Sequence, residues 1–370
     1  MEPTDIKSLT LPELEAWFAE SAQPQYRAQQ VTHWLYRRRA TTWEAMTNLP
    51  QGLRDQLNHR YTLHSLSLVT RQGAKDETQK FLWRLPDASL IESVLIPASP
   101  ALYGDPSDRH TLCISTQVGC AYGCRFCASG LEGWKRHLEP FEMVEQVVAT
   151  ERWHAAQPPP PSSSAPPPVS ARSVVSNLVV MGMGEPLANY RNLMRALSIL
   201  NAPWGGHIGA RKITISTSGL APQIRQLARE PHQFQLAISL HAADDPLRNR
   251  LMPVNRKYPL RELVAACEDY LSFKGRLITF EYLLIAGIND GPDQAVSLAN
   301  LARRLRARVN LIPYNEVPGL PWKRPSEPVA DAFLARLKSQ GIAATLRREK
   351  GRDIDAACGQ LRLKTEQALR

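Results

Sequence analysis

The chain has 370 residues, six cysteines and no run of about 18 apolar residues, which argues against a single small domain, a disulfide framework and a membrane-spanning helix. Forty-five Lys and Arg against 35 Asp and Glu leave a net charge of +10, a balance suited to a polyanionic partner such as nucleic acid. With a polar, acidic N-terminal stretch, MEPTDIKSLT, in place of an apolar signal segment, the expected compartment is the reducing cytoplasm and the expected state a soluble monomer.

Residues 1–65 read as a helical module. Leu11, Leu14, Trp17 and Phe18 form one apolar face, and YRAQQVTHWLYRRR repeats the pattern with Val31, Trp34 and Leu35. Arg37, Arg38 and Arg39 at its end are candidates to touch RNA, while Trp34 and Tyr36 suit core and cap roles. Across 66–109, KFLWRL and SLIESVLIP alternate around Pro86, Asp87 and Ala88 and predict a β-hairpin and linker.

From 110 to 350 six strand-like segments recur with helical patterns between them: TLCIST, SNLVVMG, RKITIST, FQLAISL, RLITFEYLL and RVNLIP. This rhythm predicts an α/β fold, a partial (β/α)6 TIM-like barrel of parallel strands with IAATLRRE added at its edge. The stretch AAQPPPPSSSAPPPVS, 155–170, reads as a disordered insert. A C-terminal segment, 351–370, carries Cys358 followed by Gly359 in a mobile turn. Basic clusters occur at Lys135, Arg136 and His137, at Arg303, Arg304, Arg306 and Arg308, and at Arg347, Arg348, Lys350 and Arg352. The 303–308 run suits the outer face of a helix, and the group near the cysteine loop suits RNA contact.

Cys120, Cys124 and Cys127 lie in GCAYGCRFCASG as C-x3-C-x2-C. Three thiolates at this spacing can hold three irons of a [4Fe–4S] cluster and leave the fourth open; structural zinc would need a distant fourth ligand. In a parallel barrel, functional residues gather after the C-terminal ends of strands. Those positions hold Gly184 and Glu185, Ser216, Thr217 and Ser218, Ser239, Leu240 and His241, and Asn315. Singly they are ordinary turn and cap residues, and His241 could merely cap a helix; jointly they suit an amine, ribose hydroxyls and an adenine edge. Cys267 sits on an apolar helical face and reads as core. Cys113 and Cys358 are either inert packing or a covalent carrier with its resolving thiol.

The cysteine spacing resembles the signature of radical S-adenosylmethionine (SAM) enzymes. With MTNLPQGLRDQL, IESVLIP, TLCISTQVGCAYGCRFC, MGMGEPL, ISTSGL, AISLHA, LMPVN, YLLIAGIND, NLIPYN and RDIDAACGQLR, nearly the whole chain resembles the RlmN and Cfr type of radical SAM methyltransferases, which modify an adenosine of 23S ribosomal RNA. The resemblance implies that Cys120, Cys124 and Cys127 bind the [4Fe–4S] cluster and that Gly184, Glu185, Ser216, Ser239, Leu240, His241 and Asn315 contact SAM. It also implies that Cys358 takes a methyl group from one SAM, and that a second SAM yields a 5′-deoxyadenosyl radical that removes hydrogen from that S-methyl group. The carbon radical then adds to adenine, Cys113 resolves the protein–RNA adduct through a transient disulfide with Cys358, and Glu92 is the proton acceptor. From spacing alone, Glu92 is equally a solvent-facing strand carboxylate.

The expected product is 2-methyladenosine in 23S rRNA, with an adenosine of the tRNA anticodon loop as a further substrate and flavodoxin or ferredoxin as electron donor. Methylation at adenine C8, a metal-stabilised RNA-binding protein without activity and a radical SAM enzyme of a small molecule are the alternatives. Ser129 and His137 replace the family's usual threonine and asparagine, and the proline-rich insert is not a family feature.

Overall fold

The computed structural model describes residues 3–74, 77–98, 109–157, 173–347 and 359–368. Cys358, most of the proline-rich stretch, and Arg348, Lys350 and Arg352 lie outside them. Twelve strands are described: β1 (Ser67–Gly73), β2 (Gln79–Arg84), β3 (Leu90–Pro97), β4 (His110–Cys113), β5 (Gln117–Gly119), β6 (Trp134–His137), β7 (Asn177–Val180), β8 (Ile213–Thr217), β9 (Gln235–Ser239), β10 (Thr279–Leu284), β11 (Arg308–Pro313) and β12 (Ala344–Leu346).

Ten of them form one sheet in the order β1-β2-β3-β4-β7-β8-β9-β10-β11-β12. The six expected barrel strands, β4 and β7 to β11, run parallel, and β12 adds a parallel edge. Apolar residues such as Leu178, Ile213, Ile215, Leu236 and Ile238 on these strands are fully buried, as a sheet covered by crossover helices requires.

Two features depart from the sequence pattern. The hairpin is a three-stranded antiparallel meander, β1 to β3, and it joins the barrel sheet through antiparallel pairing of β3 with β4, Val94 opposite Cys113. β1 is a half-exposed edge strand, SLVTRQG, without an apolar run to announce it. The second departure is a short ribbon, β5 against β6, that frames the cysteine loop; at three and four residues it is too brief for a detectable alternation.

Helix Leu11–Glu20 opens with a capping box between Thr10 and Glu13 and buries Leu14 and Phe18. Helices Tyr26–Tyr36 and Gln51–Arg60 close this small core with Val31, Leu35, Leu53 and Leu57. The module docks on helix Pro140–Ala155 through a buried ion pair, Lys7 to Glu145 at 3.2 Å, and through Arg39 to Glu151 at 3.0 Å. Arg37 donates to the Pro203 carbonyl at 2.7 Å. Two members of the arginine trio therefore hold the module in place. Tyr36 is buried, and Trp34 donates its indole N–H to Asn48 Oδ1 at 2.5 Å. On the barrel side of the same helix, Gln146 accepts from Ser93 and from the Ser115 backbone, both at 2.8 Å, and so ties β3 to the segment after β4.

Candidate active site at the cysteine loop

The cysteine loop is set by the ribbon below it. Gly119 has φ +76°, and a Cβ there would lie 2.0 Å from the Gly133 carbonyl oxygen, so only glycine allows Cys120 to donate to that carbonyl at 3.0 Å. Cys127 donates its backbone N–H to the Cys124 carbonyl at 3.1 Å, and Arg125 donates to the Leu251 carbonyl at 2.9 Å. All three cysteines line one cavity of about 340 Å³ at the C-terminal ends of the barrel strands.

Burial and mutual repulsion push the Cys120 thiol up to about 12 and the Cys124 thiol well above its ordinary value, with Glu185 adding to both. Three thiolates in this wall need a cationic group to offset them. Among the described residues no three His, Cys, Asp or Glu side chains converge as ligands of a single ion do. Three cysteine thiols lining one cavity are a donor set that would suit a group taking three thiolate ligands, as an iron–sulfur cluster does.

The rim positions converge as their places after the strands require. Gly184, Glu185, Ser216, Ser239, His241 and Asn315 all line the cavity. Gly184 has φ +101°, and its bare Cα leaves space filled by Gln117, which a Cβ would approach to 2.5 Å. The Gln117 side-chain oxygen accepts from Glu185 N at 2.8 Å, and the buried Glu185 carboxylate accepts from Leu187 N at 3.1 Å and Ser218 N at 2.7 Å. Burial raises its pKa despite these donors. The hydroxyls of Ser216 and Ser239 are 3.2 Å apart. Leu240 is different: it is buried away from the cavity wall, with its N–H on the Glu281 carbonyl at 3.0 Å.

His241 does not cap a helix. It sits at φ +58°, and its Nδ1 accepts from Leu283 N on β10 at 3.0 Å, which leaves the proton on Nε2. Burial, helped by the Arg248 charge, pushes its pKa down to about 3. The folded protein thus keeps His241 neutral where the unfolded chain takes a proton, so stability present above about pH 6.5 falls as pH drops toward 3, by up to about 1.4 kcal/mol per pH unit. His241→Gln should flatten the fall of melting temperature between pH 6.5 and 4; an unchanged slope would assign that loss to other groups.

Arg248 carried no signal in the charged run DDPLRNR, yet it is fully buried. It donates to Leu240 O at 3.1 Å, Ser218 O at 2.6 Å and Asn255 Oδ1 at 2.6 Å, tying together the loops after β8 and β9. Burial pushes its pKa down to about 10, and the charge of Cys124 works the other way. A guanidinium in this place compensates thiolate charge.

Glu92 is not a solvent-facing carboxylate. It is 3% exposed and 2.9 Å from the buried Lys80 Nζ. Its two oxygens accept from Gly359 N and Arg362 N, each at 2.7 Å, and so cap helix Gln360–Ala368. Side chains two apart on a strand share a face; Glu92 and Val94 therefore point the same way, and Cys113, opposite Val94, joins them. Leu361 packs on the same face against Leu82 and Leu90. Cys113 is buried and does not line the cavity.

Gly359, expected in a mobile turn, is held at φ +84° with Ser129 close on its other side: a Cβ would come within 2.8 Å of Ser129 N and 2.9 Å of Ser129 Oγ. Arg362, also buried, pairs with Glu132 of the cysteine loop at 3.2 Å and with Glu366 at 2.6 Å. The residue after Cys358 is therefore clamped between β3 and the cysteine loop. His137, on β6, pairs its Nδ1 with Gln117 Nε2 at 3.0 Å. Cys267 is buried in the core, and Arg304 of the 303–308 run pairs with Glu268 at 2.8 Å on the surface.

The profile of the ribosomal RNA large subunit methyltransferase N-terminal domain matches residues 4–63, and that of the radical SAM superfamily matches residues 171–299. A probable dual-specificity RNA methyltransferase RlmN of Akkermansia muciniphila is 47% identical over 362 residues, covering 98% of this chain and 96% of the relative. A probable dual-specificity RNA methyltransferase RlmN 3 of Opitutus terrae is 50% identical over 358 residues, 96% of this chain and 94% of the relative. The crystal structure of a radical SAM methyltransferase from Sphaerobacter thermophilus superposes with a TM-score of 0.86 at 46% identity, covering 97% of this chain and 99% of that one.

Proposed function

The chain belongs to the RlmN family of radical SAM RNA methyltransferases, and from that premise we propose that it forms 2-methyladenosine in 23S rRNA and in tRNA, with the methyl group carried on Cys358. It uses a [4Fe–4S] cluster and SAM, which when bound supply one-electron chemistry that side chains alone lack. The observation that carries the reading is the clamp on Gly359: it ties the segment that follows Cys358 to Glu92 on one side and to Ser129, in the cavity wall, on the other. A binding protein with a structural metal has no use for such an arrangement. The full-length match is to RlmN proteins, and adenine C8 methylation is set aside accordingly.

In this reading Cys120, Cys124 and Cys127 hold the cluster, while Gly184, Glu185, Ser216, Ser239, His241 and Asn315 surround SAM. Leu240 contributes through its backbone, which ties its loop to Glu281 and Arg248. Cys113 is the resolving thiol, on the sheet face it shares with Glu92. Oε2 of Glu92 is engaged by Gly359 N and Lys80 Nζ and Oε1 by Arg362 N, so the second lone pair of Oε1 is the place for an incoming proton. The helical module of residues 1–65 contributes RNA contacts, a flavodoxin or ferredoxin supplies electrons, and the enzyme works as a cytoplasmic monomer. Among the described residues no helix is long and apolar enough to cross a membrane.

Expression in a bacterium lacking its own enzyme, followed by nucleoside mass spectrometry of 23S rRNA and tRNA against authentic standards, tests the assignment. 2-Methyladenosine in both RNAs is the expected result. 8-Methyladenosine, or no methylated adenosine from protein with an intact cluster, would overturn it.

A further inference from the structure

Beside the cavity, on the outer side of the cysteine loop, lies an open groove of about 500 Å³ lined by Arg125, Pro246, Asn249, Arg250, Arg256 and Trp322. Its three arginines are exposed. Arg136, Arg225 and Arg304 each have a carboxylate partner, but Arg125, Arg250 and Arg256 have none among the described residues. Three unneutralised cations around one groove repel one another, and an anion bound between them relieves that repulsion.

The groove is built on the site's own framework. Trp322 donates its indole N–H to the Arg125 carbonyl at 2.7 Å, which fixes the ring, and the Arg250 guanidinium lies over that ring at 5.5 Å. Arg125 stands between the cluster cysteines Cys124 and Cys127, its N–H on the Leu251 carbonyl. Met252 and Val317, on the two chain segments that supply the groove, line the cavity itself. Next to Arg256, the Lys257 ammonium lies 5.3 Å from the Tyr258 ring centroid and extends the basic, aromatic strip.

We infer that this groove binds the RNA sugar–phosphate backbone next to the target adenosine. A base extruded into the cavity leaves its neighbours outside, and their phosphates must cross the rim. Arginines fork onto phosphate oxygens, and an aromatic ring with a guanidinium over it offers a surface on which a base or ribose can lie. The inference rests on the enzyme acting on RNA. An acidic redox protein docking near the cluster would want the same charge, but it has no use for a fixed indole in the groove.

The test measures binding of an RNA hairpin substrate to the cluster-loaded enzyme over a range of KCl concentrations. It compares wild type, Arg250→Gln/Arg256→Gln, and a control pair, Arg303→Gln/Arg308→Gln, on a surface reached from the opposite end of β11. With two of the phosphate-binding cations neutralised, the slope of log K against log salt should become shallower by about 1.4, and KM for RNA should rise about tenfold near 0.1 M salt. Iron content and melting temperature serve as the check on folding. A slope and KM equal to those of wild type would overturn the assignment, and an unchanged slope with slower reduction by flavodoxin would give the groove to a redox partner. Should the double variant lose iron or melt early, Arg256→Glu at its exposed site repeats the test, with an unchanged RNA slope again the overturning result. Wild-type enzyme that binds no RNA would refute the enzymatic reading itself, and the groove assignment with it.

Discussion

Cys358→Ala should abolish transfer of methyl to adenosine, a loss beyond about 10⁴-fold, the range expected when an obligatory covalent nucleophile is removed. Adenine C2 is a poor nucleophile, so direct displacement on SAM offers no bypass around the thiol. The substitution should leave the fold intact, because the contacts that seat the neighbouring helix come from Gly359, Leu361 and Arg362. Cys113→Ala has the opposite signature. With the proposed resolving thiol gone, the carrier should still load and add to the base, and a covalent protein–RNA adduct should accumulate. Nucleoside mass spectrometry reads the first variant, and a denaturing gel that separates protein from protein–RNA adduct reads the second. An active Cys358→Ala enzyme would sink the carrier mechanism, and an adduct-free but active Cys113→Ala enzyme would remove Cys113 from it.

Breaking the clamp on Gly359 should also cost much of the activity, with little loss of stability. In Gly359→Ala the added methyl meets Ser129 N and Cα within 2.9 Å at a φ of +84°, so the helix that follows must shift or undock. A displacement of about 1 Å in a reacting group lowers rate about a hundredfold, and methylation should fall by at least that factor. The melting temperature should move by only a few degrees, because Leu361, Leu82 and Leu90 form a small apolar cluster separate from the main core.

Glu92→Gln acts through charge instead. It removes the Glu92 charge 2.9 Å from the fully buried Lys80 ammonium, and breaking a buried ion pair in this way costs about 3–5 kcal/mol. Glu92→Gln/Lys80→Met should recover most of that stability while methylation stays low, since the carboxylate that holds both backbone amides is still missing. Near-wild-type methylation by Gly359→Ala, or full rescue of activity by the double variant, would show that the clamp has no part in turnover.

Local patterns in the chain carried a good deal of this. The C-x3-C-x2-C spacing, the six apolar strand segments and the polar residues just after them depend on neighbours within a few positions, and the barrel places Gly184, Glu185, Ser216, Ser239, His241 and Asn315 around the cysteine cavity as their positions after the strands required. What the sequence could not settle depends on partners far along the chain. Spacing leaves Glu92 equally a surface carboxylate or a functional one until β2 brings Lys80 and the C-terminal helix brings Gly359, 267 residues away, against it. Arg248 looks solvated in DDPLRNR until the fold aims it at the Leu240 and Ser218 carbonyls. The groove of Arg125, Arg250, Arg256 and Trp322 exists only because segments about 70 to 200 residues apart in sequence close around the cysteine loop. Sequence by itself determined which chemistry the chain can support, because ligand identity and strand periodicity are local properties; tertiary structure decided which charges are buried, which are paired and which stay open to RNA, because burial and pairing are properties of what comes to lie alongside.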